Sequence, residues 1–276
     1  MASFSYIKPG VPHRLSLDRE PELILRTVHS IIGRIYDAAL LGLKLRKGEV
    51  GYPELGIGQL LSSALKEAYI TIGKPPLLDV VVYVTLLSTP LSYVIDSGKE
   101  SISEVKYILD RIIQSSRSAD LLNFIDGLRA VGYGDIVEDM EVKGFTTKYI
   151  ELEGLNLSDY IRALTDKLPQ LMVLVPGNNL IVDIARNIIE EYEKSRDMNN
   201  AIVRAYINLI MERTQLPDNV RRMLHESINQ GLTLTGKGQR ILFEVDKILR
   251  KSKTAYMKYF YMLIPATIIS LVKIGV

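Results

Sequence analysis

Apolar residues recur along this chain at intervals of three and four, and strict alternation is almost absent. Leu23, Leu25, Val28, Ile31, Ile32, Ile35, Ala38 and Ala39 make one broad face, with Pro21 suited to a first turn and Gly48 to a stop. The spacing therefore predicts one long helix over 21–47. A second is predicted over 55–73, with Gly56 and Gly58 as start or close-packing positions, and Lys74-Pro75-Pro76 breaks it. Residues 77–95 are apolar nearly all round apart from Asp79, the pattern of a helix covered on every side. Ser101-Ile-Ser-Glu104 reads as a capping box that opens a helix carrying Val105, Ile108, Leu109 and Ile112.

The next stretch, 116–135, sets Leu121, Leu122, Ile125 and Leu128 on one stripe. Ser116 or Ser118 is the expected cap, with Asp120, Asn123 and Arg129 turned away from the stripe and Gly132 and Gly134 ending the helix. A short helical piece is expected over 136–140. Residues 141–154 read as a loop or hairpin arm, the expected internal boundary or mobile lid. Asn156 or Ser158 caps a helix through 168, and Pro176-Gly-Asn-Asn179 is a turn. Further helices are predicted over 180–196, over 201–210 as an amphipathic piece, from Pro217, and over 236–251 and 254–273. The expected architecture is a single all-α domain over 1–276, about ten helices around the apolar helix 77–95.

Composition narrows the picture. Among 276 residues, 34 Lys and Arg face 32 Asp and Glu, a net charge of +2. That near-balance argues against a protein that coats nucleic acid. With no cysteine, disulfide and thiolate chemistry are excluded. His13, His29 and His225 are scattered without metal-ligand spacing. The N-terminus lacks a basic segment followed by an apolar one, and the apolar runs 80–95 and 259–272 are shorter than the roughly 20 residues of a membrane span. A cytoplasmic protein without a transmembrane segment is expected.

Candidate chemistry lies in four places. Asp120, Asn123 and Arg129 put carboxylate, amide and guanidinium on one helix, with backbone N–H groups free in the glycine turn beyond. Lys8, His13 and Arg14 sit in a Pro- and Gly-rich loop able to meet phosphates. Asp183, Arg186 and Glu190 share a helix face, for which a solvated ion-pair face is the plain reading. Lys247, Arg250, Lys251, Lys253 and Lys258 lie near Tyr256, Tyr259 and Tyr261, a mix that suits single-stranded nucleic acid but more commonly balances helix ends.

Ala119-Asp120, the run Asn123-Phe-Ile-Asp-Gly-Leu-Arg-Ala130 and the following Gly-Tyr-Gly resemble a segment of the triphosphoribosyl-dephospho-CoA synthase family. So do Lys8-Pro-Gly10 with His13, the run Thr85-Leu-Leu-Ser-Thr-Pro90-Leu91, Asp183-Ile-Ala-Arg186, and Asp218 with Arg221 and Arg222. Two family motifs are missing: the Asn-Thr pair before the buried helix, and Asn-Pro-Gly-Thr-Thr-Ala-Asp before the last one. The resemblance implies an all-α transferase that moves a triphosphoribosyl group from ATP, with Mg²⁺, to a dephospho-CoA-like acceptor and releases adenine. It assigns base or catalytic roles to Asp120, Asp79 and Asp183, with Asp120 and Asp183 as Mg²⁺ candidates. Lys8, His13, Arg14, Gly132, Gly134, Arg186 and Arg222 would meet the nucleotide and its phosphates. The partner expected is a nucleotide or CoA-like small molecule, with a homodimer compatible and nucleic acid not expected. The alternative is a non-catalytic helical homologue that keeps a nucleotide-binding cleft or serves as a binding scaffold.

Overall fold

In the computed structural model, which describes residues 7–13 and 19–275, fourteen α-helices and four 3-10 turns carry the regular structure. No strand occurs among the described residues, so the fold is all-α. The chain divides into two compact units. A central unit holds 23–179; a terminal unit holds the first 22 residues and 180–276.

The long helix expected over 21–47 is two, α1 (Glu20–Ser30) and α2 (Ile32–Lys47). Ile31 between them leaves the helical range at φ −112° and ψ 16° while its side chain is fully buried. Apolar periodicity runs through such a break unchanged, so it was not visible in the spacing. α3 (Ile57–Ile72) ends on Gly73 at φ 74°, a left-handed stop that glycine adopts cheaply.

α4 (Leu78–Asp96) is the core of the central unit, lying against α2, α3 and α5 (Ile102–Gln114). Val80, Val81, Tyr83, Leu86 and Leu87 are completely covered. α2 reaches α4 closely because Gly42 has no side chain: a Cβ there would strike the Thr89 carbonyl and the Ser92 hydroxyl. Thr89 Oγ1 donates to the Ala38 carbonyl at 2.9 Å and Ser92 Oγ to the Ala39 carbonyl at 2.7 Å, binding the two helices at that point.

Ser101 caps α5, its hydroxyl accepting from the Glu104 N–H at 3.2 Å, as the capping-box spacing predicts. α6 (Ser118–Ala130) and α7 (Gly134–Val142) follow. The segment read as a loop or hairpin arm is instead α8 (Thr147–Glu153), started by the Thr146 hydroxyl and stopped by Gly154 at φ 66°. Its brevity and polarity hid a helix that has caps at both ends. Asn156 rather than Ser158 caps α9 (Leu157–Leu164), which stops short of 168 where Pro169 opens a 3-10 turn over 169–174.

The terminal unit contains α10 (Leu180–Ser195), α11 (Met198–Arg213), α12 (Asp218–Asn229), α13 (Gly236–Leu249) and α14 (Lys253–Ile274). α10 lies against α11 and α14, and α12 against α13. α11 buries Asn200, Ala201, Ile202, Val203, Ala205, Tyr206, Ile207, Leu209 and Ile210, which leaves Arg204 and Asn208 on a narrow half-buried stripe.

α4 and residues 255–274 are each long and apolar enough to cross a membrane, because the helices extend beyond the apolar runs seen in the sequence. α4 is largely buried inside its own unit, as the core helix of a globular unit would be.

Candidate functional site

The polar residues singled out by sequence fall into both units. In the terminal unit the segment Lys8–His13 is a tight loop, closed by the Val11 N–H on the Lys8 carbonyl. Its chemistry is fixed by Asp246 on α13, a residue with no motif around it in the sequence. The Gly10 N–H donates to Asp246 Oδ1 at 2.8 Å, and His13 Nε2 lies 3.2 Å from Oδ2. Arg250, one turn on, donates from Nε to the same Oδ2 at 2.6 Å and from Nη2 to the Val11 carbonyl at 3.2 Å. Tyr206 of α11 donates to the Pro9 carbonyl at 2.8 Å. Gly10 is needed at the centre: its φ is +83°, and a Cβ would stand 2.9 Å from Leu249 Cβ.

Burial alone would push the Asp246 carboxyl up. The hydrogen bonds from His13, Arg250 and the Gly10 N–H outweigh it and hold the group below its ordinary range. Lys8 is completely enclosed, and that desolvation lowers its ammonium to about 7. Arg14 lies outside the described residues.

In the central unit the structure brings Asp79 and the glycine turn of 132–134 together. Asp79 sits in the first turn of α4, buried, where Oδ1 accepts from the Val80 N–H at 2.9 Å and Oδ2 from Gln170 Nε2 at 3.1 Å. Tyr83, one turn along α4, donates to the Gln170 carbonyl at 2.7 Å, so both ends of Gln170 are held. Desolvation raises the Asp79 carboxyl to about 6, against the pull of those two hydrogen bonds. The Tyr133 hydroxyl donates to the Pro76 carbonyl, and burial followed by the charge of Asp79 pushes that phenol up to about 12. Gly132, at φ +91°, lies against Pro75, where a Cβ would come within 3.0 Å. Gly134 does not end a helix; it begins α7, with open space where its Cβ would be.

Asp120 is the clearest correction. It is not turned toward solvent but buried, and both carboxylate oxygens are committed to backbone. Oδ1 accepts from the Gly58 N–H at 2.9 Å and Oδ2 from the Arg117 N–H at 3.1 Å. Asp120 itself therefore closes the start of α6 and ties it to α3. The expected serine caps do other work: Ser116 Oγ donates to the Ile113 carbonyl and accepts from the Leu157 N–H, and Ser118 Oγ donates to the Ile150 carbonyl. Asp183 and Arg186 are exposed and pair with each other at 3.5 Å, the solvated-face arrangement. Arg222 is exposed on α12.

These residues do not fit Mg²⁺. One candidate ligand, Asp120, is buried with each oxygen accepting a backbone N–H, and the other, Asp183, stands in solvent beside its own arginine. Among the described residues no group of three or more His, Asp or Glu converges to hold a metal ion. The C-terminal basic and aromatic cluster divides: Lys251 is exposed, Lys258 lies over the Tyr259 ring, and the side chain of Lys253 lies outside those described. Tyr256, Tyr259 and Tyr261 are buried, Lys247 pairs with Glu244, and Arg250 serves the loop.

The i,i+4 relation of Asp246 and Arg250 was visible in the sequence, but nothing local linked it to residue 10. Gln170 carried no signal of its own, and Tyr133 stood out only as the middle of the Gly-Tyr-Gly turn. Comparison with known proteins gives no match to a family model, a curated protein or a solved structure.

Proposed function

We propose that this chain is a divergent helical relative of the triphosphoribosyl-dephospho-CoA synthases that binds a nucleotide or CoA-like molecule without carrying out the transfer. The observation that supports this reading is the fate of Asp120. The family resemblance gives it catalytic and metal roles, whereas here both its oxygens hold backbone N–H groups as part of the fold. Function resides in site residues rather than in the fold, so a relative can keep its helices and lose the reaction. The Lys8–His13 loop supports the binding half: it has a fixed shape, held by one buried carboxylate, and binding sites are usually largely pre-formed.

A second reading keeps the transfer and gives the proton-accepting role to Asp79. It is favoured by a buried carboxyl raised to about 6, close to the pH at which a general base works well.

Calorimetry with ATP–Mg²⁺ and with dephospho-CoA, together with chromatography for released adenine, tests both. Binding without adenine release is the expected outcome. Adenine release abolished by Asp79→Asn would establish the second reading instead. Absence of both binding and release would overturn both.

A further inference from the structure

α2 carries apolar side chains on two sides. Ala38, Gly42 and Leu45 are buried, on the side that lies against α4. The other side holds Ile32, Tyr36 and Leu40, which are 53%, 64% and 38% exposed, with Ala39 and Leu43 half-buried among them. Their spacing is i, i+4, i+7, i+8 and i+11, which makes one continuous stripe about 16 Å long. Exposed apolar residues scattered singly are ordinary, but a contiguous exposed patch marks an interaction face.

Charge says what kind of partner this face fits. Lys44 and Lys47 continue the stripe one turn on from Leu40 and Leu43, and Arg46 between them lies 5.9 Å over the Tyr93 ring; all three cations are exposed. The one acid on α2, Asp37, is held by Arg34 at 2.7 Å. Cations at a helix end also offset its dipole, but the dipole does not require them to extend an apolar stripe. A second copy of α2 would bring the same cations and the same paired acid, so the complement is a negatively charged surface. The stripe is a ridge on the side of α2 turned away from α4, and a bilayer surface accommodates a ridge without a preformed groove. Apolar residues with a tyrosine among them and lysines at one end are the composition of a helix that lies in the interface of an anionic bilayer, where lysine stems reach up to the headgroups.

We propose that the outer face of α2 docks the protein on an anionic lipid surface. Ile32, Tyr36 and Leu40 enter the boundary between headgroups and acyl chains, and Lys44, Arg46 and Lys47 meet the lipid phosphates and carboxylates. The inference does not depend on nucleotide binding, and it uses residues of the central unit alone.

The test is flotation of the full chain with vesicles of phosphatidylserine mixed with phosphatidylcholine, and with vesicles of phosphatidylcholine alone, at low and high salt. Binding should be strong to the mixed vesicles, much weaker to the neutral ones, and should fall as salt screens the cations. Ile32→Ser combined with Leu40→Ser, both at exposed positions, should melt like the wild type and bind roughly tenfold more weakly or worse. Lys44→Gln should bind about fivefold more weakly. The proposal falls if the mixed vesicles are not bound, if the neutral ones are bound equally, or if the double serine variant binds as the wild type does. It also falls if gel filtration without lipid shows a dimer that the double variant abolishes, since a second copy would then cover the stripe. Should the double variant not fold, unchanged binding by Lys44→Gln overturns it.

Discussion

At the scale of single residues, two buried carboxylates illustrate opposite uses of one functional group. Asp79 is enclosed with two hydrogen bonds, too few to offset its desolvation, and its carboxyl rises to about 6. A raised acid binds its proton more tightly folded than unfolded, so its contribution favours the fold at low pH. That contribution is lost as pH rises from the ordinary carboxylate range through about 6. Asp79→Asn should therefore unfold at higher urea than the wild type near neutral pH, by about 1–3 kcal/mol, and the gap should close at about pH 4. A gap that is independent of pH would contradict the assignment. Asp120 is the structural case. Asp120→Ala strands the Gly58 and Arg117 N–H groups and should cost about 2–4 kcal/mol in chemical denaturation. Asp120→Asn keeps one acceptor and should cost about half as much.

At the scale of elements, glycines set how closely helices approach. Gly58 on α3 touches the backbone of Asp120 on α6, and Gly127 on α6 faces Ser62 on α3, so this pair of helices meets nearly backbone to backbone. Gly58→Ala should destabilise by about 3 kcal/mol, because the obstacle is main chain and not a side chain that can rotate away. Gly134→Ala has open space and should stay within about 1 kcal/mol of the wild type. Equal effects in parallel urea titrations would refute this account of α3 on α6. At Gly42 the same logic is reinforced by hydroxyls: Thr89 and Ser92 of α4 give hydrogen bonds to α2 where no side chain separates the two.

At the scale of the whole molecule, the central unit interrupts the terminal one in sequence. Its core helix α4 finds cover in α2, α3 and α5, all within 23–179. A segment that buries its own apolar helix can fold by itself. Residues 23–179 expressed alone should give a helical circular dichroism spectrum and a cooperative melt. A molten fragment would show that its core depends on the rest of the chain.

Helical class, the buried character of α4 and the Ser101 cap were legible in the sequence, because each follows from local spacing: 3.6-residue periodicity, its absence of a polar face, and a serine three residues before a glutamate. The helix over 147–153 was legible in principle, through Thr146 and Gly154, but weak periodicity masked it. What tertiary structure alone decided is where polar side chains spend their hydrogen bonds. Asp120 looked like a surface carboxylate until Gly58, distant in sequence, took one of its oxygens. Asp246 carried no sequence signal, and its role follows only from the Lys8–His13 loop folding onto it. Apolar pattern reports which face is covered, since burial is non-directional and summed over many residues. A hydrogen bond needs a particular partner at a particular angle, and that partner is chosen by the fold.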